Sequence, residues 1–462
     1  MQEQGVTVQR IIVVANRLPV SRVDDGWSIS PGGLVRALRP VLQNAHGAWV
    51  GWPGIPDYET EPFNHDGIDQ RPVMLTETEV DEFYYGFCNG TLWPLYHDAI
   101  VPPEYHRHWW RPYVAVNRRY AEETAAVTNP GDIAWVQDYQ LQLVPSMLRE
   151  MTPEATIGFY LHIPFPPIEI FSRLPWRRQI IEGLLGSDVI AFQTRQSAEN
   201  FARAARRIAG AESLGRRDLR WQGRAVHLQP APIAIDTAEF ERMAASPAIQ
   251  QRAAEIRHEL GDPRHVILGM DRLDYTKGID LRLRAFASLL DRSTTRDRAY
   301  AFVQVAVPSR EQVPAYQALR SDIEQLVGRV NGDHGGPGWV PVTYLYRTLP
   351  FEEVIAYYVA ADVMLVTPLR DGMNLVAKEY AASRIDDDGA LILSEFAGAA
   401  EQLRAAVIVN PYDIDSVADS IERATTMSPR EQRNRMRRLR RSVRQSDVFE
   451  WARACLATLE DL

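Results

Sequence analysis

The chain has 462 residues, 45% hydrophobic and 24% charged, and this length exceeds the ~250–300 residues at which one hydrophobic core stops growing. We therefore expect two domains of ordinary globular composition. The formal charge of -9 excludes a general electrostatic attraction to nucleic acid or to anionic membranes, so any anion that the chain binds must be held by local cations.

The first half of the chain repeats one pattern, in which an apolar run ends in a polar loop. It opens with RIIVVANRLPV and continues with GDIAWVQDY, ATIGFYLHIPFP and SDVIAFQT. Helical patterns lie between these runs, in LQLVPSMLREM and EIFSRLPWRRQIIEGLLGS. Buried strands that alternate with helices predict parallel β-α-β units, because a parallel connection needs a crossover.

The second half restarts the same pattern at RHVILGMDRLDYTKGIDLRLRAFASLL and continues through YAFVQVAVPSR, VPVTYLY, DVMLVTP, GALILSEF and AAVIVNP. The sequence thus predicts an α/β fold with two Rossmann-like halves and parallel sheets, with the boundary in residues 231–240. In such sheets ligands lie beyond the carboxyl ends of the strands, so the loops there are the candidate sites.

The C-terminal tail predicts two capped helices. Ser428 precedes Pro429, with Glu431 at the third helical position, and Asp447 precedes Glu450 in the same way. The tail also carries a run of arginines, which we interpret as a solvated helix face rather than a nucleic-acid site, because no aromatic platform is interleaved with it.

The cysteines and the most apolar segments indicate the compartment and argue against disulfide-rich, zinc-binding and membrane-spanning proteins. Cys88 and Cys455 are too few for a disulfide framework or a zinc cage, so we expect a reducing, cytoplasmic setting. The start MQEQGVTVQR lacks the apolar core of a signal peptide, and the longest apolar runs are shorter than the ~20 residues that span a bilayer. We expect no membrane segment.

Cations and acids follow several predicted strands of the second half. Arg272 and Lys277 surround the first turn of a helix, which suits a diphosphate, although a surface ion pair explains the two residues taken alone. Arg310 follows another strand. Asp371 suits sugar hydroxyls, and the amides of Gly372–Leu375 at a helix start suit phosphate or a polarised oxygen.

Two further features mark the candidate site. Glu379 lies a little over two helical turns beyond Asp371 and is placed to reach a ribose on the same helix face. The loop after the first strand supplies Arg17, and Gly32 and Gly33 let backbone amides approach an anion.

The first half also contains an acid, a histidine and several aromatic residues near strand ends. Asp138 and His162 each follow a strand, and a single histidine is more often a structural residue than a catalyst. Tyr and Trp side chains form either core or flat walls for sugar rings. They are Trp49, Trp52, Tyr84 and Trp93.

Taken together, ANRLPV, SPGGL, GAWVGWPG, FYLHIPFP, DRLDYTKG and VTPLRDGMNLVAKEY occur in an order that resembles the trehalose-6-phosphate synthases, from Ile11 to about Leu456. The resemblance implies a GT-B fold, with two Rossmann-like domains facing across a cleft. It implies retaining transfer of glucose from a nucleotide sugar to glucose 6-phosphate, giving α,α-trehalose 6-phosphate, with no metal and no cofactor. Retention is attributed there to front-face attack, with the departing phosphate taking the acceptor's proton.

The resemblance also implies three segments. Residues 1–235 form the acceptor domain, residues 236–445 the nucleotide-sugar domain, and residues 446–462 a helix that crosses back to the first domain. The substrates are the nucleoside-diphosphate glucose and glucose 6-phosphate, with no nucleic acid or membrane partner. Whether the chain forms a homo-oligomer stays open.

Through the matching motifs, the resemblance implies three sets of site residues: catalytic, donor-binding and acceptor-binding. The implied catalytic set is His162, Asp138, Asp371, Arg272 and Lys277. The implied donor set is Gly32, Gly33, Arg272, Lys277, Asp371, Gly372, Met373, Asn374, Leu375, Val376, Glu379, Arg347, Thr348 and Leu349. The implied acceptor set is Arg17 and Arg310 at the phosphate, with Tyr84, and Trp52, Trp93 and Asp138 at the sugar.

The chain departs from the family pattern in two places. The usual HDYH is QDYQ, so that Gln137 and Gln140 replace histidines that titrate with amides that do not. Ala234 replaces the usual glycine of P-I-G-I at the expected hinge. The base of the donor also stays open between UDP-glucose and GDP-glucose, since Arg347 suits guanine O6 and N7 but is equally suited to solvent.

The sequence bears on three other functions. A relative with another phosphorylated acceptor, such as a glycerol phosphate or a cyclitol phosphate, uses the same scaffold. A catalytically silent sugar-phosphate sensor need not keep both half-sites, and this chain keeps them. A dinucleotide oxidoreductase lacks support, because no predicted strand is followed by G-x-G-x-x-G with a downstream acid.

Overall fold

The structure is a computed structural model. It describes residues 10–461 except 24–25, 30–34, 36–37, 40–41, 44–45 and 293–298. The chain divides into two compact units, Met1–Ile233 together with Val448–Leu462, and Ala234–Asp447. No helix in the described ranges is long and apolar enough to cross a membrane.

The first unit is built on one large sheet that has ten strands in the described part of the chain. Its middle strands are parallel, and short antiparallel strands are added at both edges. In spatial order they are Glu212–Ser213, Asp218–Trp221, Arg224–Pro230, Val189–Phe192, Thr156–Leu161, Ile133–Gln137, Ile11–Arg17, Ala48–Trp52, Ile68–Pro72 and Phe63–His65. A separate hairpin pairs Val20–Val23 with Gly26–Ile29.

Helices cover this sheet, and one of them is a type that the sequence does not signal. Val80–Leu92 is a π-helix of 13 residues, whereas π-helices are rare and mostly single-turn. The other helical segments of the first unit are Glu77–Glu79, Trp93–Tyr96, Arg107–Ala125, Tyr139–Leu141, Val144–Met151, Ile168–Phe171, Arg177–Leu184, Arg195–Ala204, Ala205–Ala209 and Val448–Glu460.

One helical segment was predicted wrongly as continuous. The stretch EIFSRLPWRRQIIEGLLGS forms two helices, Ile168–Phe171 and Arg177–Leu184. Pro175 lies in the break between them, and proline disfavours helical backbone at the residue before it.

The second unit has a six-stranded sheet in the described residues, and all its strand pairs are parallel. In spatial order the strands are Val342–Tyr346, Tyr300–Val307, His265–Arg272, Val363–Val366, Ala390–Ser394 and Val407–Val409. Numbered within this unit, that order is 3-2-1-4-5-6, the doubly wound Rossmann order. The prediction of a parallel α/β sheet here is confirmed.

Helices of the second unit enclose a core of Ile, Leu, Val and Phe side chains on the sheet. Buried strands of this kind read as continuous apolar runs because both faces of the sheet are covered. The helical segments are Thr237–Ala244, Pro247–Glu259, Tyr275–Lys277, Ile279–Arg292, Pro314–His334, Phe351–Ala360, Leu375–Ser383, Gly398–Glu401, Ile414–Thr426 and Pro429–Arg444.

The last helix, Val448–Glu460, belongs to the first unit. The Trp451 ring packs on Trp135 and Tyr160, with ring centroids 5.6 and 5.2 Å apart, and its Nε1 donates to the Ala231 carbonyl at 3.1 Å. A Cβ at Gly158 would lie 2.7 Å from Leu459 Cδ1, so the helix approaches a strand where that strand has no side chain.

The arginine-rich helix Pro429–Arg444 begins as predicted, with the Ser428 side chain accepting from the Glu431 amide at 3.3 Å. The interpretation of a wholly solvated arginine face needs correction. Arg440 is 8% exposed and donates to Asp387 at 2.5 Å and to Glu241 at 3.1 Å. Part of the arginine run therefore forms ion pairs within the second unit.

Candidate active site

The first unit has a cavity of about 490 Å³ at the carboxyl ends of its central strands. Parallel strands end at the same edge of the sheet, so loops that are distant in sequence meet there. The lining includes the predicted site residues Arg17, Asp138 and His162, together with both glutamines of QDYQ, Gln137 and Gln140. Trp49 and Pro53 also contribute to the wall.

His162 is held at this cavity in its neutral form. Its Nε2 lies 3.0 Å from Gln137 Oε1, and since an amide oxygen only accepts, Nε2 carries the proton. Burial lowers the pKa of His162 to about 3, because the charged imidazolium loses its hydration. Gln137, a departure from the family pattern, thus fixes the tautomer, and His162 is a hydrogen-bonding group rather than a charged acid at neutral pH.

Asp138 has an unusual backbone conformation at the same edge. Its φ is +72°, a region that residues other than glycine rarely occupy. The Asp138 amide donates to the Tyr160 carbonyl at 2.8 Å, and Asp138 Oδ1 accepts from the His162 amide at 3.1 Å. Such strain concentrates at functional sites, where neighbouring contacts hold the residue in place.

Arg17 ends the first strand, and its guanidinium packs on an aromatic ring. The Arg17 Cζ lies 4.2 Å from the centroid of the Trp52 ring, which is cation-π geometry. Gly54 beside this side chain has a φ of +94°, a conformation that favours glycine. Tyr84 completes the group, with its ring centroid 6.5 Å from that of Trp52.

Trp93 is a buried member of the predicted acceptor set, as is Trp52. Trp93 is 5% exposed, and its ring packs on His97 and Tyr139 with centroid distances of 4.2 and 5.7 Å. Among the described residues, the side chains that line the cavity do not include Trp93. A role at the acceptor sugar therefore stays a prediction for this residue.

In the second unit, the predicted diphosphate and sugar residues come together. Lys277 Nζ lies 2.5 Å from Asp371 Oδ2, with side-chain exposures of 12% and 15%. Asn374 Nδ2 donates to the same Asp371 oxygen at 3.1 Å. Arg272 is exposed at the end of its strand, one short turn before Lys277. The edge of this sheet thus combines cations with a carboxylate that accepts from two side chains.

Local backbone geometry sets the position of Lys277. Lys277 ends the 3-10 turn Tyr275–Lys277, and Gly278 follows with a φ of +61°. A Cβ at Gly278 would lie 2.8 Å from the Thr367 carbonyl oxygen, so only glycine fits without strain. The chain then enters the helix Ile279–Arg292.

The loop after Val363–Val366 leads into the helix Leu375–Ser383. Asn374 caps this helix with a φ of +85°, and its side chain accepts from the Ala377 amide at 3.1 Å. This cap satisfies the Ala377 amide, whereas the amides of Leu375 and Val376 have no acceptor within the helix and can donate to an anion or a polarised oxygen. The predicted residues Gly372 and Met373 are buried just before the cap, and Leu375 and Val376 begin the helix.

Glu379 lies on that helix, about one turn from its start at Leu375. Asp371 precedes the helix, so the prediction that the two acids share a helix face is wrong. Glu379 Oε2 accepts from the Tyr358 hydroxyl at 2.8 Å. The predicted base-loop residues follow the strand Val342–Tyr346, where Arg347 and Thr348 are exposed and Leu349 is half-buried. Their part in binding the base stays a prediction.

The structure places Arg310 in a buried ion pair. Arg310 Nη1 lies 2.8 Å from Asp274 Oδ2, with side-chain exposures of 5% and 0%. The sequence assigned Arg310 to the acceptor phosphate, and that role stays a prediction. The sequence did not predict that Arg310 contacts Asp274, which caps the 3-10 turn Tyr275–Lys277.

Sequence reasoning also missed the buried groups under this edge. Arg282 is 1% exposed and donates to Asp271 Oδ2 at 2.8 Å, to Gln304 Oε1 at 3.1 Å and to Thr367 Oγ1 at 3.0 Å. It therefore joins the end of the strand His265–Arg272, the middle of Tyr300–Val307 and the residue that follows Val363–Val366. A charged residue inside the apolar pattern LRLRAFASLL was the signal in the sequence, because a buried charge is retained only when it is paired.

Three further expectations concern the glycines of the first unit, metal binding and the Ala234 position. Gly32 and Gly33 lie outside the described residues. Within the described residues, no group of three or more His, Cys, Asp or Glu side chains is arranged to hold a metal ion. Ala234 replaces the family's glycine without a positive φ, and it is fully buried.

Comparison with known proteins gives the family. The family model described as glycosyltransferase family 20 matches residues 6–461. This chain belongs to glycosyltransferase family 20. It is 53% identical over 461 residues to the trehalose-6-phosphate synthase of Mycolicibacterium smegmatis, an alignment that covers 97% of this chain and 92% of that protein.

Solved structures of the same family match over nearly the whole chain. The E. coli protein bound with UDP-2-fluoro glucose is 34% identical, with a TM-score of 0.91, and the match covers 98% of this chain and 99% of that one. A UDP-forming synthase from Burkholderia xenovorans in complex with glucose-6-phosphate is 32% identical, with a TM-score of 0.90, covering 98% and 100%. The predicted GT-B fold and the predicted family are confirmed.

Proposed function

We propose that this chain transfers glucose from UDP-glucose to glucose 6-phosphate with retention, giving α,α-trehalose 6-phosphate and UDP. The family and the 53% identity to a trehalose-6-phosphate synthase support the reaction. The observation that carries the proposal is the Lys277–Asp371 pair at 2.5 Å, one turn from Arg272 and beside the capped helix start. Cations for a diphosphate and a carboxylate for sugar hydroxyls are adjacent there.

In the proposed donor site, Arg272 and Lys277 bind the diphosphate and Glu379 binds the ribose. Asp371 and the amides of residues 372–376, before and at the start of the helix, bind the glucose that is transferred, and Gly32 and Gly33 complete the donor set. Because Lys277 and Asp371 already contact each other, bound donor would take its place beside an ion pair. A positive charge near the diphosphate stabilises it as it departs.

In the proposed acceptor site, Arg17 and Arg310 bind the phosphate, with Tyr84. Trp52, Trp93 and Asp138 border the acceptor sugar. His162 contributes a neutral hydrogen-bonding imidazole to the glucose that is transferred. The bond from glucose C1 to the diphosphate oxygen breaks while a bond from C1 to the acceptor's anomeric oxygen forms on the same face. The proton of that hydroxyl passes to the departing phosphate oxygen, so no enzymic nucleophile is needed.

The donor base is proposed to be uracil. The Burkholderia xenovorans relative is UDP-forming, and the E. coli relative was solved with a UDP sugar. Arg347 is the residue for which the sequence analysis kept guanine as an alternative. It is exposed and does not by itself favour either base.

A parallel assay tests both substrates. Purified protein with glucose 6-phosphate is expected to show its highest kcat/KM with UDP-glucose, compared with GDP-glucose and ADP-glucose, with the product identified by mass and by NMR of its anomeric protons. Glycerol phosphate and a cyclitol phosphate serve as rival acceptors. Higher kcat/KM with either rival would refute the proposed acceptor, and binding of substrates without turnover would indicate a silent sensor.

Metal removal is expected to leave the reaction intact. Cations from side chains take the place at the diphosphate that Mg²⁺ would occupy in a metal-dependent transferase, which needs carboxylate ligands. After treatment with EDTA and gel filtration, kcat should stay within about twofold of its starting value, a change of ~0.4 kcal/mol. Loss of activity that added Mg²⁺ or Mn²⁺ restores would contradict this expectation.

A further inference from the structure

Asp274 is a fully buried carboxylate whose two oxygens hold two different parts of the second unit. Asp274 Oδ1 accepts from the Thr276 amide at 3.0 Å and from Thr276 Oγ1 at 2.9 Å. Asp274 Oδ2 accepts from Arg310 Nη1 at 2.8 Å and from the Tyr316 hydroxyl at 3.0 Å. Neither the composition nor the family roles given above assign this residue a function.

The Oδ1 contacts fix a turn that carries a cation. Thr276 is the middle residue of the 3-10 turn Tyr275–Lys277, and Asp274 is its N-cap. Holding both the amide and the hydroxyl of Thr276 sets the backbone from which Lys277 extends. The direction in which Lys277 approaches Asp371 therefore depends on this oxygen.

The Oδ2 contacts fix a second cation that comes from another strand end. Arg310 has a φ of +48°, which is unfavourable for a residue with a side chain. Its guanidinium is held by Asp274 and by the Tyr316 hydroxyl, to which Nη1 also donates, and its Cζ lies 5.5 Å from the centroid of the Tyr316 ring. A strained backbone and a buried ion pair together give this arginine one orientation.

The charge of Asp274 persists at every physiological pH. Burial alone would raise the pKa of Asp274, but the surrounding cations, Arg310 foremost, lower it to about 2. A carboxylate that stays ionised keeps all four of its contacts. Protonation would turn one oxygen from an acceptor into a donor facing other donors.

We propose that Asp274 is a positioning residue that orients Lys277 for the donor diphosphate through one oxygen and Arg310 for the acceptor phosphate through the other. The inference rests on the proposed function, and it adds a residue that contacts neither substrate. It requires that loss of an Oδ1 contact affects the donor and that loss of an Oδ2 contact affects the acceptor.

Two conservative variants separate the effects of the Oδ1 contacts from those of the Oδ2 contacts. Thr276→Val removes the hydroxyl contact to Oδ1 while keeping the β-branched shape. Tyr316→Phe keeps the ring and removes the hydroxyl that donates to Oδ2 and accepts from Arg310 Nη1. We expect Thr276→Val to lower kcat/KM for UDP-glucose about fivefold to tenfold, as expected for a lost hydrogen bond to a charged group, with KM for glucose 6-phosphate within about twofold. We expect the reverse pattern for Tyr316→Phe, in which KM for glucose 6-phosphate rises by that factor.

This crossed pattern is a readout that a merely structural role would not produce. A general loss of stability lowers the melting temperature and the active fraction, which reduces kcat for both substrates without splitting the KM values. Equal effects of the two variants on both substrates, or no effect of either, would overturn the proposal. Asp274→Asn, if it folds, should combine both defects, and if it does not fold the two single variants still decide.

A binding measurement keeps the inference distinct from the proposed function. Calorimetric titration with UDP and, separately, with glucose 6-phosphate should show the same crossed loss of affinity without any turnover. If the unmodified protein forms no trehalose 6-phosphate but the crossed binding pattern appears, the proposed reaction is wrong and the positioning role stands. If the protein is active and the binding losses are not crossed, the positioning role is wrong.

Discussion

Replacing Lys277 with methionine is expected to lower kcat/KM for UDP-glucose about 10³-fold, because the departing diphosphate loses a cation aimed at its developing charge. The ammonium group is largely shielded from solvent and lies 2.5 Å from Asp371, so its charge acts at low dielectric, where it is worth more than in water. Methionine keeps most of the length and apolar volume of the side chain. Steady-state kinetics with UDP-glucose varied at saturating glucose 6-phosphate measure the effect.

Two control variants isolate the charge. Arg329 is exposed on the helix Pro314–His334 of the same unit, and Arg329→Met removes a cation far from any predicted site residue in sequence. It should leave kcat/KM within about twofold of the unmodified value. Asp371→Asn completes a double-mutant cycle with Lys277→Met, and the coupling measures how much of the defect comes from an Asp371 charge left without Lys277. Near-normal kcat/KM in Lys277→Met would refute the diphosphate role.

The fold was largely predictable because its determinants are local and periodic. Apolar β-branched runs such as HVILGMDR, followed by amphipathic helices, predict buried parallel strands wherever they occur. The strand His265–Arg272 and the helix Ile279–Arg292 follow that reading closely. The π-helix Val80–Leu92 was not predictable, because its hydrogen-bond spacing has no signature in composition.

The candidate site was predictable as a set of residues but not as a set of contacts. Motifs identify Lys277, Asp371 and Arg310 one loop at a time. The partners Lys277 and Asp371 are 94 residues apart, and Arg310 and Asp274 are 36 apart. Which side chains meet at a sheet edge depends on strand order and on rotamers fixed by packing, and neither is written in a single motif.

Trp93 shows that a motif also does not reveal whether an aromatic side chain belongs to the core or to a binding site. Its motif suggested a flat wall for a sugar ring, yet its ring is buried on His97 and Tyr139. An aromatic residue contributes its apolar area equally to a core or to a binding site. The sequence alone therefore does not separate the two uses for an aromatic residue in a helical segment.

Replacing Arg310 with alanine is expected to raise KM for glucose 6-phosphate at least about thirtyfold, since losing one partner of a buried charge pair costs ~2 kcal/mol or more. KM for UDP-glucose should rise far less. By the family resemblance, Arg17 binds the same phosphate, and Arg17→Ala should give the same pattern from the other half of the chain. Measuring both KM values in each variant checks the division of roles.

Unphosphorylated glucose provides the control that separates phosphate recognition from damage to the fold. Arg310→Ala also removes the partner of the buried Asp274, and a structural defect of that origin would lower transfer to every acceptor. If Arg310 acts on the phosphate, the variant should lose its advantage for glucose 6-phosphate over glucose while the slow transfer to glucose stays within about twofold. An equal loss with both acceptors would assign the effect to structure, and a larger rise in KM for UDP-glucose would assign Arg310 to the donor site, beside the Lys277 turn on which its guanidinium already lies.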